Sequence, residues 1–146
     1  MYSEDFESFE PIDFLDFAKE LYASQTDFES NSSSIKRTII NRTYYAAFLQ
    51  VRNWFIKHKG YKPNQGDHYK IPDLILNDLT IPLEPFRKNL RDHLIILKKN
   101  RHHCDYYCKV PEVISEKDKH FYSNSFEDLF YFSEELIRWF TKEDIY

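Results

Sequence analysis

Apolar positions recur along most of this chain at intervals of three and four residues, the spacing of one face of a helix with about 3.6 residues per turn. The first such stretch opens at Pro11, a residue suited to a helix start. Ile12, Phe14, Leu15, Phe17, Ala18, Leu21 and Tyr22 form its broad apolar face. Residues 25–34 are rich in Ser, Asn and Asp and read as a loop whose last serines can cap the next helix. That second helix is predicted over 35–59. Ile35, Ile39, Ile40, Tyr44, Ala47, Phe48, Val51 and Phe55 lie on one face, and Tyr45, Ala46, Leu49, Trp54 and Ile56 carry apolar surface around the cylinder. A helix apolar on most sides belongs at the centre of a bundle. Ala46 and Ala47 leave room for a neighbour to approach closely, and Gly60 suits the C-terminal stop.

Residues 60–67 read as a loop, followed by a short helix over 72–79 with Ile71, Leu74, Ile75 and Leu79 as its apolar set. A longer helix is predicted from Pro82. Its stripe runs Leu83, Phe86, Leu90, Leu94, Leu97 and then Arg101, Cys104 and Cys108, so an arginine stands where a leucine is expected. Pro111 bounds it, 109–122 read as a loop, and Ser123 or Ser125 caps a last helix reaching Thr141. There Phe126, Leu129, Phe130, Ser133, Leu136, Ile137 and Phe140 point inward. The predicted fold class is all-α: a four- to five-helix up-and-down bundle formed by residues 11–146 as one domain, preceded by an acidic arm at 1–10.

Composition supports this picture. A chain of 146 residues is long enough for one core, and 42% hydrophobic content supplies it. With only two glycines, the turns of a small sandwich or of a dinucleotide-binding fold are not provided for. The same scarcity excludes a glycine-rich phosphate loop, and no nucleophile-elbow pattern occurs. No apolar window of about 18 residues exists to span a membrane, and the acidic N-terminus is unlike a secretory leader, so the expected location is cytoplasmic.

The net charge of −4 hides a segregation. Residues 1–30 carry nine acids and one base, 35–59 six bases and no acid, and 84–109 seven bases and three acids. Two basic helices can present phosphate with a cationic face despite the acidic total. The acidic arm could cover such a face in the same molecule. Solvated helix faces are the plainer account of the same charges.

Residues 98–108, Lys-Lys-Asn-Arg-His-His-Cys-Asp-Tyr-Tyr-Cys, concentrate reactive side chains on a helix whose stripe turns inward. Ionisable groups on such a face must be paired or functional. Three readings follow: nucleic-acid cleavage, a metal site, or a polar clasp between helices. Cys104 and Cys108 share a face four residues apart and suit small buried thiols better than a disulfide. With His102 or His103 they are poor zinc ligands, because structural zinc draws on two separated pairs; no metal or other cofactor is expected. On the second helix, Arg42 either snorkels or pairs with an acid such as Asp105, or converges with Arg101 on one phosphate, which a guanidinium binds bidentately. Arg87 and His93 also stand six apart, but residues at that spacing face about 120° away from each other on a helix. His58, His68 and His120 are scattered and read as surface or loop histidines.

Asn41-Arg42-Thr43-Tyr44-Tyr45-Ala46-Ala47-Phe48, followed by a glycine-containing loop with His68 and then by Arg101-His102-His103-Cys104-Asp105-Tyr106, resembles the HEPN superfamily. The nearest branch is the small stand-alone one, with a Ser-Arg-Ala-Tyr-Tyr-Ala helix before an Arg-x-x-Ala-Asp-Tyr segment. The resemblance covers residues 12–141. It implies a helical bundle that dimerises with itself. It also implies an RNA-binding or metal-independent endoribonuclease role in toxin–antitoxin or phage-defence systems, with an antitoxin or a nucleotidyltransferase-type protein as partner. By that resemblance, Arg101 would stabilise the phosphate, His102 or His103 would move the proton of the ribose hydroxyl, and Asp105 and Tyr106 would complete the catalytic set. Arg42, Lys98, Lys99 and His68 would hold the RNA. The chain departs from the usual motif: Asp105 and Tyr106 stand where the family's histidine is looked for. The alternative is a helical interaction protein without catalysis, docked to such a partner.

Overall fold

A computed structural model describes residues 10–24, 33–78, 80–81, 84–106 and 125–142, with the side chains of Ser33, Asp105 and Tyr106 left out. Five helices make up the described chain: α1 (Pro11–Ala23), α2 (Ser33–Lys59), α3 (Asp67–Asn77), α4 (Glu84–Tyr106) and α5 (Phe126–Trp139). The protein is an all-α bundle, as the periodicity predicts. Predicted features at 1–9, 25–32, 79, 82–83 and 107–124, among them most of the acidic arm, Leu79, Pro82, Leu83, Cys108, Pro111 and His120, lie outside the described residues.

The helix ends follow from local chemistry. Pro11 opens α1, and the Glu10 N–H donates to Asp13 Oδ2 at 2.9 Å. Ser125 caps α5 reciprocally: its Oγ accepts from the Asp128 N–H at 3.1 Å and its own N–H donates to Asp128 Oδ2 at 3.3 Å. Gly60 stops α2 in the left-handed region at φ 67°, open to a residue without a Cβ, and the Tyr61 N–H turns back to the Phe55 carbonyl at 3.1 Å.

Helix α3 starts five residues earlier than Pro72 predicts. The preceding loop builds its own start. Asn64 Oδ1 accepts from the Gly66 N–H at 2.8 Å, and Asp67 Oδ1 accepts from the Asn64 N–H at 3.0 Å and from the Tyr61 hydroxyl. Pro72 is then buried inside the helix, where it lacks the N–H that would bond the His68 carbonyl. A stop-and-start residue is read as a boundary from sequence, yet here packing of Ile71, Pro72 and Ile75 outweighs the one lost hydrogen bond.

α2 lies at the centre, touching the other four helices. Cross-contacts set the directions. Arg42 lies over Phe14, and Ile39 and Ala46 pack with Leu15 and Ala18, placing α1 along the first half of α2. Ser133 Oγ donates to the Thr43 carbonyl at 2.9 Å and Gln50 donates to the Phe140 carbonyl at 2.9 Å, so α5 runs parallel to α2. Phe86 meets Trp139 and His93 stacks on Phe132, so α4 runs opposite to α5. Lys98 lies over Tyr69, whereas Arg87 donates to the Leu76 and Ile81 carbonyls, so α3 also runs opposite to α4. The loop 60–66 therefore carries the chain back along α2 before α3 begins. Four long helices alternate in direction, and α3 is inserted in the connection between α2 and α4.

Two apolar clusters result. The larger joins Tyr44, Phe48, Val51, Phe55, Ile71, Ile75, Leu90, Leu94, Leu97 and Leu136; the smaller joins Leu15, Ala18, Ile39, Ala46, Phe130 and Ile137. Ala47 belongs to the first and Ala46 to the second, so the adjacent alanines admit neighbours on two sides of α2 rather than one. Burial of this area from water is what holds the helices together, at roughly 25 cal/mol per Å² of apolar surface.

Candidate anion site between α2, α3 and α4

The early start of α3 brings His68 against α2. Its ring stacks on Phe48 with centroids 4.3 Å apart and meets Tyr45 edge-on at 6.1 Å. Its Nδ1 lies 2.5 Å from the hydroxyl of Tyr44, a residue only 1% exposed. From α4, the Arg101 guanidinium carbon stands 5.5 Å from the Tyr44 ring centre and 5.3 Å from that of Tyr45. One turn earlier, Lys98 Nζ lies 4.0 Å from the centre of the Tyr69 ring, on the residue next to His68. Arg52 closes the group from α2: its guanidinium lies 5.7 Å from the Phe48 ring centre and Nη1 lies 3.9 Å from Asp67 Oδ2.

The protonation states follow from this crowding. Burial is the main cause that pushes the Tyr44 phenol well above its ordinary pKa; Arg101, which also hydrogen-bonds it, opposes that rise. The phenol therefore keeps its proton. With Arg101 donating to the phenol oxygen, Tyr44 directs its own proton to His68 Nδ1. Burial lowers the His68 pKa first, and the positive charges of Arg101 and Lys98 lower it further. The lowered pKa leaves the ring neutral at pH 7, and with Tyr44 assigned as the donor to Nδ1 its proton is assigned to Nε2. Lys98 is lowered by burial, then by Lys99 and Arg101. Asp67 is the negative group that answers Arg52. Burial raises its pKa, yet the hydrogen bonds from Tyr61 and Asn64 and the charge of Arg52 outweigh that and hold it low. The Tyr61 phenol that donates to it is pushed up to about 12, by burial first and then by Asp67.

Arg101, Lys98 and the Nε2–H of His68 are thus donors gathered within one face, and two of them carry mutually repelling charge. An anion placed among them relieves that repulsion and accepts from each. A general base is a different requirement. The His68 nitrogen without a proton is already taken up by Tyr44, so this arrangement suits holding a phosphate better than taking a proton from a hydroxyl.

The sequence-predicted residues divide sharply. Arg101, Lys98 and His68 come together. Arg42 does not join them: it is exposed and lies over Phe14 of α1, 5.4 Å from the ring centre. His102 is exposed, and His103, from the other side of the same turn, is buried, with its pKa lowered by burial and then by His102. Lys99 is half-buried beside Lys98. The backbone of Asp105 and Tyr106 completes α4, and their side chains lie outside the described residues. Tyr44 and Tyr45 read from sequence as apolar packing, and Arg52, Asp67 and Tyr69 carried no signal of their own. The one hint lay in spacing, since Tyr44, Phe48 and Arg52 stand four apart along one face of α2.

Among the described residues no group of three His, Cys, Asp or Glu side chains is placed to hold a metal ion, and no helix is long and apolar enough to cross a membrane. At the far end of α3 a cleft of about 280 Å³ is lined by Phe55, Lys59, Tyr61, Leu74, Asn77 and Asp78. No family model, no curated protein and no solved structure matches the chain.

Proposed function

We propose that this chain is a HEPN-type helical protein that binds RNA through the face built by Arg101, Lys98 and His68. One observation carries the reading. Two cations and a neutral imidazole N–H are packed among aromatic rings around a buried phenol; of the carboxylates described beside them, Asp67 is engaged by Arg52, Tyr61 and Asn64, and the exposed Asp73 acts on Lys98. A phosphodiester is an anion that both cations and the imidazole N–H can meet at once. At this cluster RNA binding is favoured over cleavage, because Tyr44 occupies the nitrogen that His68 would need to act as a base.

Binding is tested by fluorescence anisotropy with a short labelled oligoribonucleotide at rising salt. The wild type should bind with an affinity that falls steeply as salt rises, and Arg101→Ala should bind weakly at every salt concentration. Equal binding by both proteins removes the reading. Incubation of bulk RNA in EDTA separates binding from cleavage: intact RNA that is still retained by the protein is the expected result. The defence setting and self-dimerisation belong to the same proposal. Light scattering tests the dimer, and a strictly monomeric protein removes it.

A further inference from the structure

Tyr69 is the most exposed of the large hydrophobic residues described, at 75% exposure, and it stands at the surface beside the cluster. Its neighbour His68 faces inward, so on the first turn of α3 Tyr69 points outward beside the phosphate-holding groups. Lys98 Nζ sits over its ring at 4.0 Å from the centre, which fixes the ring against α4 and brings a cation to one side of it. An aromatic ring that burial does not claim, held by Lys98 one turn from Arg101 and next in the chain to His68, has what a nucleobase needs: a π-face to lie on, near charge that tracks the backbone.

We infer that Tyr69 is the platform on which one unstacked base of the bound strand rests, while Arg101 and Lys98 hold the adjoining phosphate. The inference rests on the RNA-binding reading above and adds a residue that the sequence motifs do not include. Stacking of one base on such a ring is sequence-tolerant, because every base presents a π-face. The contact is lost when the bases are locked inside a duplex or are absent.

The experiment compares two ten-nucleotide probes: oligoadenylate, and an abasic ribose-phosphate strand of the same length. The wild type should bind oligoadenylate about tenfold more tightly, within the range that base–aromatic stacking spans. Tyr69→Ala should lose that difference and keep its affinity for the abasic strand. Tyr69→Phe, which retains the π-face, should keep the preference. Arg101→Ala should weaken both probes alike. Because Tyr69 is exposed, the thermal midpoint of Tyr69→Ala should match the wild type. If Tyr69→Ala still prefers oligoadenylate, or if the wild type shows no preference, the platform is refuted while RNA binding stands. If neither probe binds the wild type, the RNA-binding reading itself fails, and the platform with it.

Discussion

Arg42, on the central helix, and Arg101, which reaches that helix from α4, end in different physical settings. Arg42 leaves α2 toward α1 and lies over Phe14 at the surface. Arg101 reaches α2 from α4 and lies over Tyr44 and Tyr45, next to a buried phenol, an imidazole and a lysine. At about 4 Å, a charge interaction worth roughly 1 kcal/mol in water is worth about 4 kcal/mol where the effective dielectric falls to near 20. In the proposed reading Arg101 serves as an anion site because neighbouring helices remove water around it and add donors. Basic residues on an exposed helix face do not become one by their number.

The largest expected effect tests that contrast directly. Arg101→Ala should weaken RNA binding by about ten- to a hundredfold, the scale of losing a bidentate charge-assisted contact, while Arg42→Ala should change it by less than about twofold. Anisotropy titrations on both variants at one salt concentration decide it; equal losses would place the two arginines on one binding face after all. Next in size is a pair of tyrosine substitutions. Tyr44→Phe removes the hydroxyl that satisfies His68 Nδ1 and should lower stability by about 1–2 kcal/mol in urea unfolding. Tyr22→Phe, whose hydroxyl donates to Glu127 at the exposed α1–α5 edge, should cost less than about 0.5 kcal/mol. A larger loss at Tyr22 than at Tyr44 would overturn the view that the interior phenol is the more stabilising of the two.

A smaller effect is read by pH. The His68 pKa is lowered in the folded protein, chiefly by burial, so the unfolded chain binds more protons once pH drops below the ordinary value of 6.5. This group's contribution is therefore fully present above pH 6.5 and is lost as pH falls toward the folded pKa. His93 and His103, also lowered by burial, act with the same sign. Thermal midpoints from pH 7.5 to 5 should fall for the wild type and fall less for His68→Gln. A bound phosphate favours the protonated ring, so RNA affinity should move the other way and rise as pH falls below 6.5. An affinity unchanged over that range would place the phosphate away from His68.

Much of the scaffold was legible before any coordinates. The stripe of Leu90, Leu94 and Leu97, the inward set of α5 down to Ser133, and the Ser125 cap all appear where three- and four-residue spacing puts them. Periodicity works there because each helix buries one face, whatever its partner is. It failed at Pro72, where a local rule about proline competed with burial and with the hydrogen bonds that Asn64 and Asp67 supply to the turn before it. The candidate site was half legible. Arg101 stood out as a charge on an apolar stripe, but Tyr44 looked like any other core aromatic, and His68 read by position as a loop histidine and only by the family resemblance as an RNA-holding one.

From sequence alone the chain determines helices, their apolar faces, the central role of α2 and the segregation of basic charge, because these depend on contacts within about one turn. Which basic residues meet depends on the path of the chain between helices. The loop 60–66 folds back along α2 and aims α3 so that His68 arrives under Tyr44, and α4 returns antiparallel so that Arg101 and Lys98 close the same space. Those juxtapositions join residues 24 and more positions apart, and only packing in three dimensions selects them.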